Sequence, residues 1–461
     1  MRKFDTQVEY IKYKVLKEVA THAWHHQLYD HLLDIPKTIN PTRKPISRCC
    51  VYKEQAILAE RVKLAVGGSR SKHIVEVIDI ACDECPVGGY EVTNGCRGCL
   101  AHKCQSVCPK NAISFDSHNR AMIDKEKCIE CGLCAKVCPY SAIKNNQRPC
   151  VAACKVDAIR MDENKVAVID HERCISCGAC VVQCPFGAMV DKSYIIDVID
   201  YIQKKTVQSK VVAIIAPSIA SQYHQYMPEN IIGALIKLGF DEVVEAAMGA
   251  DIVSERETEE LIDKGFLTSS CCPAFVSLIK KHYPDQVQHI SHNLSPMAVV
   301  GQLIKKSNPY NKCVFIGPCI AKKGEAKLPN VSPYIDAVLT FEELDALFDS
   351  QHIDISACES IAINDASYYG RIFARSGGLI ESIQHQVNKK NIEGFKFEPF
   401  SCNGIDECKK ALIKIKNHVN IGHFIEGMSC VGGCIGGPGS ISHSLKDKMK
   451  VDTFGKSSKQ S

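Results

Sequence analysis

Cys128, Cys131, Cys134 and Cys138, followed by Pro139, stand at C-x2-C-x2-C-x3-C-P spacing, and Cys174, Cys177, Cys180 and Cys184, followed by Pro185, repeat it. Three thiolates at such short intervals let one loop wrap three corners of an iron–sulfur cubane, while the fourth, with its proline turn, reaches a neighbouring cluster. A structural zinc site normally takes its four ligands in two separated pairs, so evenly placed cysteines with a trailing proline point to [4Fe–4S] clusters and electron transfer. Upstream, Cys96, Cys99, Cys104 and Cys108 with Pro109 form a variant in which four residues separate the second and third cysteines. Crossed ligation gives one cluster Cys96, Cys99, Cys104 and Cys138, and the other Cys128, Cys131, Cys134 and Cys108.

The second unit is incomplete. Cys150 and Cys154 fill the last two places of a motif whose first two cysteines are missing, and Lys155 stands where proline is usual. Crossing assigns Cys154 to the cluster of Cys174, Cys177 and Cys180. Cys150 and Cys184 are left with two vacant corners, which the otherwise unpaired Cys82 and Cys85 can fill. Four accessory clusters use 16 of the first 18 cysteines and leave Cys49 and Cys50; the alternative is three clusters, with Cys82, Cys85 and Cys150 as spare thiols.

The chain that carries these motifs has 461 residues, enough for roughly two to four domains. It is too long to need a disulfide framework, so its 27 cysteines read as metal ligands in a reducing compartment. Lys plus Arg is 56 against 52 Asp plus Glu, a net charge of +4 that does not suggest a nucleic-acid partner. The N-terminus lacks the apolar stretch of a secretory signal, and no run of about 20 apolar residues is present to span a bilayer. A soluble cytoplasmic protein is expected.

The elements that must position the thiols fall into a multidomain α+β and α/β arrangement. Residues 1–75 read as a small helical N-terminal segment, with Val8, Ile11, Val15 and Val19 at helical spacing. His22, His25, His26 and His31 meet no fixed ligand spacing, and a half-exposed amphipathic helix accounts for them. Residues 76–204 read as a ferredoxin-like cluster domain, short of hydrophobic mass, in which metal substitutes for a core. From 205 to 445 a β-rich run at 211–216, a helical stretch at 231–240 and then Val243 and Val244 begin a recurring α/β alternation. Residues 446–461, rich in Lys and Ser, read as a loosely ordered polar tail.

A wire of clusters needs a terminus that consumes charge. In the last domain Ser269-Ser270-Cys271-Cys272-Pro273, then Gly317-Pro318-Cys319 with Lys322, Lys323 and Glu325, then Glu426-Gly427-Met428-Ser429-Cys430 with Gly432, Gly433 and Cys434 keep the content and order of three signature motifs. In these the chain resembles the [FeFe]-hydrogenases. The resemblance implies an H-cluster: a cubane joined through a cysteine sulfur to a diiron unit carrying carbon monoxide, cyanide and a dithiolate bridge. Matched position by position, Cys272, Cys319, Cys430 and Cys434 hold the cubane, with Cys434 bridging. Soft thiolates suit low-valent iron.

By the same resemblance Cys271 is the proton-relay thiol, Glu257 and Glu260 are relay carboxylates, and Ser291 lies between them. Lys322 matches a lysine that holds a cyanide ligand, Pro217 and Ser218 a contact to the diiron site, and Met428 a pocket methionine. The resemblance further implies hydrogen and protons as substrates, a ferredoxin-type soluble electron carrier, and maturation proteins that supply the diiron unit. Several positions depart from the best-known members. Ala274-Phe275 replaces glycine and tryptophan, Gly317 replaces methionine, Met297 replaces glutamine, and the third motif ends Gly436-Gly437-Pro438-Gly439. These departures resemble the monomeric group B branch. Two other readings share the fold: a hydrogen sensor, against which stands the lack of a signalling module, and a non-enzymatic iron–sulfur assembly or carrier protein. Proteins of that last kind generally lose the relay thiol and have a shorter cluster region. Cys313 reads as a buried strand residue, and Cys358, Cys402 and Cys408 show no ligand spacing.

Overall fold

The computed structural model describes residues 4–42, 44–68, 73–86, 88–391, 395–444 and 446–459. The first helix, α1 (Gln7–Trp24), is capped by Thr6, whose hydroxyl accepts from the Glu9 amide at 3.2 Å. Its buried residues Val15, Leu16, Val19, Ala20 and Ala23 form one stripe that packs on the helix Phe341–Ser350 far along the chain. A second long helix, α2 (Val51–Ala65), packs across α1 and presents Arg61 to the loop at Phe186 and Gly187. A buried ionic network locks these parts together. Asp191 accepts from Lys12 of α1 at 2.8 Å and from Lys323 at 2.7 Å, and Lys323 also reaches Glu343 at 3.0 Å. Pairing each charge with others of opposite sign is what makes such burial tolerable.

The cluster region is built from short antiparallel pairs, Ile113–Phe115 with Ala121–Ile123 and Ile159–Met161 with Ala167–Ile169. Distant segments close each unit, Tyr90–Val92 on Ile143–Asn145 and Val75–Val77 on Met189–Asp191. One turn recurs four times. The amides of Ala112, Ala142, Ala158 and Ala188 donate to the sulfurs of Cys108, Cys138, Cys154 and Cys184 at 3.2 to 3.4 Å. The residue before each alanine (Asn111, Ser141, Asp157, Gly187) takes positive φ, a conformation open to Gly and tolerated by Asn or Asp. Lys155 does not prevent the third copy from forming.

The last domain alternates strand and helix. It begins with β1 (Val211–Ile215), α3 (Pro228–Leu238), β2 (Glu242–Glu245), α4 (Ala246–Lys264), β3 (Leu267–Thr268) and α5 (Pro273–His282). It continues with β4 (Lys312–Ile316), α6 (Ile320–Glu325), β5 (Ala337–Leu339), α7 (Phe341–Ser350), α8 (Gly378–Lys390), β6 (Pro399–Asn403) and β7 (Phe424–Met428). Two all-parallel sheets result, ordered β2-β1-β4-β5 and β3-β7-β6. The central strands β1 and β4 of the larger sheet read as near-continuous apolar runs and are buried along nearly their whole length. Cys313 is fully buried in β4.

The expected loose tail is a correction. Residues Asp447–Lys456 form a helix, α9, whose Val451 and Phe454 are buried. The Arg371 guanidinium lies 4.1 Å from the Phe454 ring centroid and donates to the Phe454 carbonyl at 3.0 Å. The fold of the last domain therefore continues past residue 445. Bulk composition hid two apolar residues three apart, which is the spacing of a helix face.

Candidate functional site

In open parallel sheets ligands bind beyond the carboxyl ends of the strands, and here the ends of two sheets meet at one apolar cavity. Ala216-Pro217-Ser218 follows β1, Cys271-Cys272 follows β3, Pro318-Cys319 follows β4, and Met428-Ser429-Cys430 closes β7; all border the cavity, as do Cys434, Lys322 and Met297. Cys272 and Cys319 cap the N-termini of α5 and α6. Gly433, at φ +87°, lets the chain turn back toward Cys434, and a Cβ there would lie 2.6 Å from the Ser376 amide nitrogen. Gly427 is needed for packing, since a Cβ would fall 2.2 Å from the buried Phe275 ring. Glu426, buried in β7, accepts from the Gly377 and Leu379 amides at 2.8 and 3.1 Å and from Ser401 at 2.7 Å, so it fixes the start of α8.

Cys272, Cys319, Cys430 and Cys434 come together here. Burial pushes the Cys319 thiol up to about 12 and Cys434 up to about 11, with Cys272 adding to both and Cys434 adding to Cys319. Cys430 is pushed well up by burial and by Cys319, Cys272 and Cys434. Cys319, Cys430 and Cys434, crowded beside Cys272 in an apolar pocket, resist ionising together unless a polycationic core neutralises them. A thiolate-ligated iron–sulfur core fits that donor set. The hydroxyls of Ser218 and Ser429 are buried, face no hydrogen-bond partner, and border the same cavity, leaving polar contacts for further ligands. Lys322 lies at its edge. Its ammonium pairs with Glu325 at 2.7 Å and lies 3.4 Å from the Cys271 carbonyl; burial opposes the charge, but Glu325 and the Cys319 and Cys271 thiols hold it above its ordinary value.

Cys271 borders the cavity too, and its thiol is held well above the usual range, first by burial and then by Glu257 and Cys272. Glu257 is fully buried on α4, where its Oε1 accepts from the Ser270 amide and hydroxyl, both at 3.0 Å. Burial raises its carboxyl to about 7 against the pull of Ser270 and Ser291. Ser291 donates to Glu260 at 2.9 Å, and Glu260 also accepts from Lys264 at 2.7 Å and the His292 amide at 3.0 Å. Those contacts hold Glu260 below its ordinary value although burial opposes them. Cys271, Glu257, Ser291 and Glu260 thus lie in order toward the exposed His292, with the second carboxylate oxygen of Glu257 buried and without a hydrogen-bond partner. Ser270 and Glu325 stand in the signature motifs without an assigned role; adjacency to Cys271 and a place three after Lys322 are the usable signals.

The N-terminal thiols also group. Burial lifts Cys150 to about 11, with Cys184, Cys82 and Cys85 adding to it. Cys177 is lifted to about 11 by burial, then by Cys174, Cys154 and Cys272, so this group adjoins the cavity quartet. Cys180 has Cys177, Cys174, Cys154 and Cys150 as neighbours. Cys99 and Cys138 neighbour Cys104, and Cys96 packs in the same small core. Cys108, Cys128, Cys131 and Cys134 border a cavity of their own. Among the described residues no three His, Cys, Asp or Glu side chains close on a single metal ion. No helix there is long and apolar enough to cross a membrane.

Residues 209–438 match the model of the iron only hydrogenase large subunit, C-terminal domain, and residues 95–142 and 148–188 match the 4Fe-4S dicluster domain. The chain is an [FeFe]-hydrogenase-like protein. It is 29% identical over 270 residues to iron hydrogenase 1 of Clostridium pasteurianum, covering 48% of this chain and 47% of that one. To the NADP-reducing hydrogenase subunit HndD of Solidesulfovibrio fructosivorans it is 28% identical over 268 residues, 46% of each. The chain spans about half the length of these two curated relatives. A cytosolic Fe-S cluster assembly factor, NAR1 of Kluyveromyces lactis, is 31% identical over 120 residues, 25% of this chain and 26% of that one. The solved apo [FeFe]-hydrogenase HydA1 from Chlamydomonas reinhardtii aligns at a TM-score of 0.46 and 19% identity, over 56% of this chain and 87% of that one.

Proposed function

We propose that this chain interconverts dihydrogen with two protons and two electrons at an H-cluster held by Cys272, Cys319, Cys430 and Cys434. The diiron unit supplies the making and breaking of the hydrogen–hydrogen bond. The chain's own part is to exclude water, orient the site and move the proton. Apolar walls keep the cavity dry, Ser218, Ser429 and Lys322 offer polar contacts, and Met428 and Pro217 shape the pocket. Cys271, kept protonated by burial and by Glu257, gives or takes a proton at Sγ. Ser270, Glu257, Ser291 and Glu260 pass it on.

Electrons leave through four accessory [4Fe–4S] clusters. Their ligands are Cys154, Cys174, Cys177 and Cys180; Cys82, Cys85, Cys150 and Cys184; Cys96, Cys99, Cys104 and Cys138; and Cys108, Cys128, Cys131 and Cys134. The carrier beyond them is ferredoxin-like, maturation proteins deliver the diiron unit, and the setting is cytoplasmic. The placement of Cys271 beside the fully buried Glu257, with Ser291 and Glu260 beyond it, supports an enzyme over an assembly factor, because a protein that only carries clusters has no use for a buried thiol followed by two carboxylates toward the surface. Cys271→Ala tests this. In protein loaded with the diiron unit, the infrared bands of bound carbon monoxide and cyanide persist while hydrogen turnover collapses; wild-type turnover in the variant would remove the relay.

A further inference from the structure

Three guanidinium groups lie beside one of the thiol quartets, one of them on a sulfur. Arg148, 2% exposed, donates from Nη1 to the Cys82 sulfur at 3.5 Å and from Nε to the Pro86 carbonyl at 2.8 Å, and its Nη2 lies 3.4 Å from the Cys85 carbonyl. Arg61, also buried, donates to the Gly187 carbonyl at 2.7 Å and lies in the fields of Arg48 and the Cys184 thiol. Arg48 stacks on Phe186 at 5.2 Å and is felt at Cys85. Among the described residues no carboxylate pairs with Arg61 or Arg148, and Arg48 has only a 3.7 Å contact to the partly exposed Glu84. Buried cations without a carboxylate need another anion. A cubane with four thiolates is a net anion, and reduction makes it more so.

Among the described residues no guanidinium donates to a ligand sulfur in the other quartets. The amide-to-sulfur turns are common to Cys108, Cys138, Cys154 and Cys184, so they do not tell the clusters apart. The group of Cys154, Cys174, Cys177 and Cys180 has the exposed Lys281 ammonium 2.7 Å from the Cys174 carbonyl and Arg173 donating to the Val156 carbonyl at 3.0 Å, neither of them on a sulfur. Nearby positive charge and hydrogen bonds to sulfur both favour the reduced state.

We infer that the cluster held by Cys82, Cys85, Cys150 and Cys184 has the highest reduction potential of the accessory clusters, with Arg148 as the positioning residue that sets it. The inference rests on the four-cluster reading above. It gives the wire a resting place for one electron of each pair, next to the group of Cys154, Cys174, Cys177 and Cys180.

The test is a potentiometric titration followed by electron paramagnetic resonance, on the full chain carrying its cubanes without the diiron unit. In wild type one accessory signal appears first on reduction. In Arg148→Gln that signal alone moves to lower potential and loses its lead, Arg148→Lys restores most of it, and Arg48→Gln moves it the same way by less. A first signal unmoved in both glutamine variants, or all signals moving together, overturns the inference. Iron analysis separates this from failure of the underlying reading: about 20 irons per chain with an unmoved signal rejects only the arginine assignment, whereas about 16 rejects the fourth accessory cluster itself.

Discussion

Replacing Glu257 by glutamine separates the proposed proton path from the proposed metal site. The side chain is fully buried, and Oε1 accepts two hydrogen bonds from Ser270, both at 3.0 Å. A glutamine carbonyl accepts the same two, so packing survives and the cavity cysteines are untouched. What the variant removes is a titrating proton. Burial lifts this carboxyl from 4.5 to about 7, which at about 1.36 kcal/mol per tenfold change in proton affinity makes the charged form roughly 3 kcal/mol less favourable. The folded protein therefore keeps Glu257 neutral at pH values where an unfolded chain has lost the proton. Its contribution to stability is highest below the ordinary glutamate range, falls as pH rises, and levels off above about 7; the glutamine variant lacks that fall. Infrared difference spectra across neutral pH show a buried carboxyl titrating near 7 in wild type, and Glu257→Gln lacks it. Turnover drops by about 10²- to 10⁴-fold, the usual worth of a positioned acid–base group, with carbon monoxide and cyanide bands unchanged. If no such titration is lost with Glu257, or if turnover survives, the carboxylate is not in the path.

Three further outcomes follow from the packing and the thiol groups. Asp191→Asn takes one of two carboxylate partners from both Lys12 and Lys323, leaving Glu342 and Glu343, and costs about 3 kcal/mol. Burial opposes the Asp191 charge but the two ammonium groups hold the carboxyl well below the ordinary aspartate range, so its stabilisation is complete above that range and is lost as the pH falls below it. Thermal inactivation at neutral pH occurs at lower temperature in the variant, and an unchanged temperature contradicts the network. Phe454→Ala removes the buried ring under Arg371, costs about 3 kcal/mol and opens α9 to proteolysis; equal protease resistance speaks against a docked helix. Cys150→Ser lowers iron by about four atoms per chain if Cys150 is a ligand, and leaves it unchanged if the thiol is spare.

The chemistry was more legible in the sequence than the architecture around it. Ligand spacings follow from the size of a cubane, so short motifs revealed the thiol groups without any knowledge of tertiary packing. The convergence of Cys272, Cys319, Cys430 and Cys434 was available only through resemblance, because two sheets bring together strand ends separated by about 160 residues of sequence. The placement of Arg61 and Arg148 was not legible: a guanidinium set beside a group of cysteines has no spacing rule, and it appears only when α2 and the Cys82 loop are folded against Phe186. The fourfold Cys-x-x-x-Ala turn, with Asn111, Ser141, Asp157 and Gly187 before the alanine, was present in the sequence and gives a better signature of the incomplete motif than the missing proline. The tail was misjudged because Val451 and Phe454 were averaged into their polar surroundings.

The most direct test of the account is the infrared spectrum of the full chain after loading with the diiron unit, recorded beside its hydrogen turnover. Bands of iron-bound carbon monoxide and cyanide, lost in Cys434→Ser and accompanied by hydrogen turnover in wild type, are the predicted result. Protein with its full iron–sulfur content but neither those bands nor turnover would contradict it.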